Sequence, residues 1–334
     1  MSDAIQLCAA QQHVEPVIQS RFLSDVDEQA GSLSGWHQEY QQLGCGNYAG
    51  SVHSITLPAV ELIVESNNRQ LHQRGTIPEH SVILAIALDA NGEGWLSGKK
   101  FDQQTMIVLT EDHELDFRTP PDLTVAGLVF DEHLLRQYLP ACNDSNPLNN
   151  AIHNCFAAIE PSVLENLRRY ISNIASELQL GLLNLSQPAS QKAFCDALIG
   201  NFVQVLSAIN HIDQALPRSA LLRLKTVNKA IEYMRAHIDE TISIIDVCSA
   251  LYVEQRVLNY CFQEVIGLSP ILYLKYLRLN QVRRQLLRAG SVPCNIGNIA
   301  ASFGFWHPSR FSTEYRKLFG ELPSETVRRS GFLS

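Results

Sequence analysis

The sequence has no run of 18 apolar residues, and its longest, Val82–Leu88, has the length of a buried strand. A membrane-spanning helix is therefore not expected. Met1–Gln12 lacks a basic segment followed by an apolar one, so no secretory signal is expected and the default location is cytoplasmic. None of the eight cysteines (Cys8, Cys45, Cys142, Cys155, Cys195, Cys248, Cys261 and Cys294) lies in a C-x-x-C pair, which argues against a zinc ribbon or a thioredoxin-like site. Several sit in apolar periodic segments and read as buried free thiols of a reducing compartment. The histidines form no H-x-H pair, and Phe117 breaks the H-E-x-x-H pattern opened by His113-Glu114, so no metal is expected.

Two other motifs fail on context. Gly44-Cys45-Gly46-Asn47-Tyr48-Ala49 matches a relaxed G-x-G-x-x-A. A dinucleotide site needs a strand before it and a helix after it; here Trp36–Leu43 reads as helical and a strand follows. Gly94-Trp95-Leu96-Ser97-Gly98 places its serine wrongly for a nucleophile elbow. No catalytic residue and no cofactor is expected, and the chain does not read as an enzyme.

What the sequence does have is a division of charge. The net charge of −8 averages two unlike parts. Residues 218–334 carry 16 Lys+Arg against 9 Asp+Glu, while residues 1–217 carry 10 against 25. A basic module that meets a polyanion, attached to an acidic one that does not, accounts for the asymmetry.

Periodicity divides the chain at similar places. Residues 1–35 lack a clear pattern and read as a flexible arm. Short β-rich runs follow at Ser51–Leu57, Val60–Glu65, Ser81–Leu88, Gly94–Leu96, Thr105–Leu109, Leu115–Arg118 and Thr124–Phe130, which predicts a small sandwich or barrel over 47–131. Asp131–Leu139 reads as a short helix, Pro161–Gly181 and Pro188–Ile209 as long ones with apolar stripes. Residues 36–215 are thus expected to form one domain. The two stripes either pack on the β region or form a dimer seam, with Leu178 and Phe202 as its candidates. Tyr48 and Trp95 are weak candidates for lining a ligand pocket. Pro217-Arg218-Ser219 opens an expected linker, residues 216–227.

Two places in the basic part satisfy the geometry of a helix-turn-helix, which needs small residues where two helices cross and an abrupt turn between them. The first runs over about 244–266, with Cys248 and Ala250 at the crossing and Leu258, Cys261, Phe262 and Val265 as the inward stripe. The second runs over about 296–319, with Ala300 at the crossing, Gly304 at the turn and Phe311, Tyr315 and Phe319 inward. Ser269-Pro270 starts a helix between them, with serine as N-cap and proline at the first turn. At 1.5 Å per residue it spans roughly 28 Å, close to the repeat of the major groove on one face of B-DNA, so it would serve as a spacer.

Residues from about Asn228 to Arg329 resemble the DNA-binding domain of the AraC/XylS family. The matches are Ser269-Pro270, Tyr273-Leu274, Arg278-Leu279, Ile299-Ala300, Gly304-Phe305 and Phe319-Gly320-Glu321-Leu322-Pro323-Ser324. Gly304-Phe305-Trp306-His307 and the Phe-Gly-Glu-Leu-Pro-Ser ending are most similar to the branch of the benzoate and ethanolamine regulators, and residues 35–140 are similar to the sensor half of the latter. Glu254 replaces the serine common at the start of the first reading helix, and Thr313 a basic residue common on the second.

The resemblance implies an α+β chain: an N-terminal cupin-like β-barrel or sandwich with long helices, then an all-α DNA-binding domain at 228–330. It carries base or phosphate contact to Arg256, Asn259 and Tyr260 on the first reading helix and to His307, Ser309, Arg310 and Thr313 on the second. Arg278, Arg283, Arg284 and Arg288 on the spacer read as surface or phosphate-facing. The expected function is a sequence-specific transcription regulator, an effector-responsive activator. Its expected partners are double-stranded promoter DNA, RNA polymerase, a small-molecule effector and a second copy of the chain. The alternatives are an effector-independent dimeric regulator and a cupin-like enzyme with an accessory DNA-binding domain.

Overall fold

Val82–Leu88 lies in the middle of a sheet covered on both faces, which is why its apolar residues do not alternate with polar ones. In the computed structural model, which describes residues 16–57, 60–131, 155–210, 216–289 and 294–330, the strand is β6, Ser81–Ala90. Val82, Leu84 and Ile86 face one core; Ile83, Ala85 and Ala87 face another.

The strands are β1 (Val17–Leu23), β2 (His37–Gln42), β3 (Gly50–Thr56), β4 (Val60–Asn67), β5 (Leu71–Thr76), β6, β7 (Gly94–Leu96), β8 (Lys99–Phe101), β9 (Met106–Thr110), β10 (Leu115–Arg118), β11 (Leu123–Asp131), β12 (Phe156–Ile159) and β13 (Ile209–Asn210). They form an eight-stranded sheet of order β1-β3-β4-β11-β6-β9-β12-β13 and a five-stranded sheet of order β2-β5-β10-β7-β8. Both keep open edges, so the β region is a two-sheet sandwich and the expected barrel is not closed. The inner faces share one core that includes Ile63, Ile83, Ile107, Leu115 and Phe117.

The outer face of the large sheet carries α2 (Pro161–Gln179) and α3 (Pro188–Ser207); α1 (Val26–Ala30) precedes β2. Leu164, Leu167, Ile171, Ile174 and Leu178 of α2 are buried with Leu62, Val64, Leu84 and Leu128 of the sheet. The α2 stripe, Leu178 included, is thus satisfied within the chain rather than at a dimer seam. The Phe202 side chain and most of the short helix expected over 131–139 lie outside the described residues.

Three expectations differ from what is observed. Val17–Leu23 pairs antiparallel with β3 and Val26–Ala30 is helical, so residues 17–30 are built into the sandwich instead of forming an arm. Trp36–Leu43, read as helical, contains strand β2, whose partner β5 is rich in polar residues and gave no strand signal. The expected linker is occupied from Arg218 by helix α4 (Arg218–Ala236), whose Val227, Ala230, Ile231 and Met234 are buried.

The rest is helical: α5 (Ile244–Leu251), α6 (Gln255–Val265), α7 (Pro270–Ala289), α8 (Ile296–Ser302), α9 (Pro308–Phe319) and α10 (Pro323–Ser330). These surround a second large core that also takes in Leu43 from the sandwich.

Candidate nucleic-acid interface

Each of two helix pairs turns by the same backbone device. After α5, Tyr252 adopts a left-handed φ of 54° and Val253 N–H donates to the Cys248 carbonyl at 3.0 Å. After α8, Gly304 adopts φ 82° and Phe305 N–H donates to the Ala300 carbonyl at 3.0 Å. In both, the left-handed residue closes the end of the first helix and directs the chain into the second. Glycine fills that role without strain at 304, whereas Tyr252 does so with its side chain 97% exposed. Ser243 caps α5 in a reciprocal box with Asp246, a pattern legible as Ser followed three residues later by an acid. Glu254 at the start of α6 makes no side-chain cap bond.

The second helix of each pair is divided as the sequence predicts. Leu258, Cys261 and Phe262 of α6 are buried, as are Phe311, Tyr315 and Phe319 of α9. Arg256, Asn259 and Tyr260 are exposed on α6, and His307, Ser309, Arg310 and Thr313 are exposed at the start and on the outer side of α9. Two are locally engaged: the Arg223 guanidinium lies 5.9 Å from the Tyr260 ring centre, and the Thr313 hydroxyl donates to the Ser309 carbonyl at 2.9 Å. A groove of about 810 Å3 runs between the two pairs, lined by Gln255, Lys275, Arg278, His307, Arg310 and Glu314 among others. The first residues of α6 and α9 therefore open onto one concave surface. Ser269 caps the connecting helix α7, its hydroxyl accepting from Leu272 N–H at 3.4 Å.

The spacer arginines are a correction. Arg283 and Arg284 are only 5% and 8% exposed and face the sandwich. Arg283 donates from Nε to Asp25 at 2.8 Å and from Nη1 to Glu321 at 2.7 Å. Burial works against its charge, but Tyr315, Asp25 and Glu321 around it raise its pKa above the usual range. Arg284 holds Asp27, Glu39 and the Tyr40 carbonyl. Arg278 donates to the carbonyls of Glu240 and Ile242 at 3.1 and 2.9 Å. The Arg283 and Arg284 guanidiniums, buried on carboxylates and a carbonyl, are not available to phosphate; Arg278, half-buried, donates from Nη2 and still lines the groove, and Arg288 is exposed.

The same seam continues with neutral groups. The Asn280 side chain accepts from Gln42 N–H and donates to the Gln42 carbonyl, both at 3.1 Å, as a strand neighbour would. His72 Nδ1 lies 2.9 Å from the Tyr273 hydroxyl and its Nε2 lies 2.7 Å from Asp116. Arg235 of α4 pairs with Glu39. Sequence reading missed this seam because the partners that meet across it are 196 to 258 residues apart along the chain. The one available signal was two adjacent arginines set among the apolar positions Leu279, Val282 and Leu286 of α7.

Within the sandwich, Tyr48 is buried and donates to Gln29 Oε1 at 2.7 Å, while Trp95 lies 5.4 Å from the Arg118 guanidinium. Neither lines the small cavity between the sheets, whose polar wall is Trp36, Gln38, Glu65 and Gln73. Among the described residues, no group of three His, Cys, Asp or Glu could hold a metal, and no single helix is long and apolar enough to cross a membrane.

A helix-turn-helix domain family matches residues 247–329. The chain is 35% identical over 106 residues to the "Probable thc operon regulatory protein" of Rhodococcus erythropolis, covering 32% of each chain. It is 28% identical over 101 residues to the "XylDLEGF operon transcriptional activator 3" of Pseudomonas putida, covering 30% of each. The match thus spans about a third of the length of these curated relatives. A crystal structure of a probable AraC family transcriptional regulator from Rhodopseudomonas palustris is 31% identical, with 97% of that chain and 32% of this one covered and a TM-score of 0.30. Over this C-terminal third, then, the chain carries a helix-turn-helix domain and is similar to AraC/XylS-type transcription regulators.

Proposed function

We propose that the chain is an effector-responsive transcription activator. In this reading two helix-turn-helix heads, α5–α6 and α8–α9, enter successive major-groove segments of promoter DNA. The observation that carries it is the division of α6 and α9: their apolar stripes are buried in one core while Arg256, Asn259, Arg310 and their neighbours are left exposed. Arginine suits guanine O6 and N7, and asparagine suits adenine N6 and N7. The sandwich, acidic and joined to α7 by the seam, is the sensor half. An operon transcriptional activator among the relatives supports activation, and with it contact to RNA polymerase.

A homodimer is retained in the proposal. Its interface would draw on outward residues such as Leu180 and Leu182, which are 70% and 68% exposed. The test is binding of the full chain to the DNA flanking its own gene, with footprinting and a salt titration. The expected result is two protected major-groove segments about one turn apart, with affinity falling steeply as salt rises. A single protected segment, or binding that ignores salt, overturns the two-headed reading.

A further inference from the structure

The two sheets do not close tightly everywhere. A cavity of about 70 Å3 lies between them. Its floor is Gly127 of β11 and Ala85 of β6, which stand opposite each other in register, so two small residues meet where larger ones would fill the gap. A Cβ at Gly127 would meet nothing nearer than an Ile83 methyl at 3.9 Å. Most of the rest is apolar, including Ile63, Ile107, Leu109 and Phe117.

One wall is polar. Trp36 and Gln38, two apart where β2 begins, share a face, and Trp36 Nε1 and Gln38 Oε1 are buried without a hydrogen-bond partner. A buried donor and a buried acceptor left unpaired are costly, and they are expected where a ligand completes them. Beside them Glu65 is buried, and burial pushes its carboxyl pKa up. Gln29, Tyr40 and Gln73 donate to its Oε1 at 2.8, 2.9 and 3.4 Å, and none reaches Oε2. Among the described residues, no Lys, Arg or His lines the cavity.

We propose, building on the effector-responsive reading above, that this cavity binds a small neutral carboxamide, whose N–H group donates to Gln38 Oε1 and Glu65 and whose carbonyl accepts from Trp36 Nε1. A carboxamide presents donor and acceptor side by side and so completes both orphaned groups at once. It brings no ion into a cavity walled mostly by apolar side chains, where a charge is costly unless Glu65 pairs it. Its short tail lies over Ala85 and Gly127.

The groups that hold Glu65 also hold the seam. Gln29 is on α1, whose start carries Asp25 and Asp27, the partners of Arg283 and Arg284. Tyr40 donates to Glu65 through its hydroxyl and accepts from Arg284 Nη2 at 2.7 Å through its carbonyl. A ligand that re-forms the bonds of Glu65 therefore acts on two elements that clamp the spacer helix, and by linkage DNA affinity and ligand affinity shift by the same factor.

The experiment is thermal unfolding of the full chain with millimolar propionamide, n-propylammonium or propionate, three molecules of nearly equal size, together with DNA binding by anisotropy. Propionamide is expected to raise Tm and to shift DNA affinity. Both effects should be lost in Glu65→Gln and in Gly127→Leu, the second of which fills the floor without touching the polar wall. An equal or larger shift with n-propylammonium or propionate that disappears in Gly127→Leu overturns the carboxamide assignment and leaves the effector-responsive reading standing. A propionamide shift that survives both substitutions, or none in the wild type, overturns the site itself.

Discussion

Arg284 forks onto Asp27: Nε reaches Oδ1 and Oδ2 at 3.0 and 2.8 Å and Nη2 reaches Oδ1 at 2.8 Å, joining residues 257 positions apart. Arg283 beside it holds Asp25. The two pairs differ in burial. The Asp25 side chain is 2% exposed and Asp27 37%. Asp25→Ala leaves the Arg283 guanidinium buried without the more buried of its two carboxylates and should cost about 3–5 kcal/mol in urea unfolding. Asp27→Ala, screened by solvent, should cost about 1 kcal/mol or less. Equal losses would show that burial does not set the strength of this seam.

Acid should loosen the same junction. Burial opposes the charge of Asp116, but His72, Arg74 and Asn228 hold its carboxyl below the usual carboxylate range. A carboxyl whose folded pKa is depressed contributes stability above its unfolded value, about 3.9, and loses it as pH falls through the folded value. Stability should therefore drop below about pH 4, and Asp116→Asn should flatten that limb. Thermal melts from pH 6 to pH 2 check this; an unchanged slope in the variant rules Asp116 out as the source.

Gly320 ends α9 with φ 75°. A Cβ there would fall 1.5 Å from a side-chain amide atom of Asn47 and 2.6 Å from its backbone nitrogen. Gly320→Ala should cost more than the roughly 1 kcal/mol of the left-handed conformation alone, because the sandwich loop must move as well. A denaturant midpoint within error of wild type would show that the loop yields freely.

Leu178 is 3% exposed in the chain's own core. Leu178→Ala should destabilise by about 2–5 kcal/mol without changing the sedimentation coefficient of the folded protein. A stable monomer produced from a wild-type dimer would return Leu178 to the seam.

Arg256→Ala and Arg310→Ala leave both apolar stripes intact. Loss of a bidentate base contact should cost about 1–3 kcal/mol of DNA binding and relax preference at one base pair, in a different groove segment for each variant. Selection from randomised DNA reads this directly. Relaxation at the same base pair in both would break the assignment of one arginine to each head.

The local code was strong where an element carries its own signal. Seven strands, the two long helices, the Ser269 cap and the inward stripes of α6 and α9 follow from period, turn residues and caps. Val17–Leu23 and Leu71–Thr76 did not, because an exposed edge strand and a polar strand have no alternation to show. Trp36–Leu43 was read with the wrong period because tertiary pairing with β5 overrides a weak local preference.

By itself, then, the sequence determined the basic helical module, its two turns and which side chains of α6 and α9 face inward, since 3.6-residue periodicity and a residue tolerant of left-handed φ are local properties. Tertiary structure alone decided what Arg283, Arg284 and Glu65 do. Each is a charge whose role depends on partners brought from distant parts of the chain, and whether such a charge faces solvent, phosphate or a buried mate is fixed by packing that no local pattern encodes.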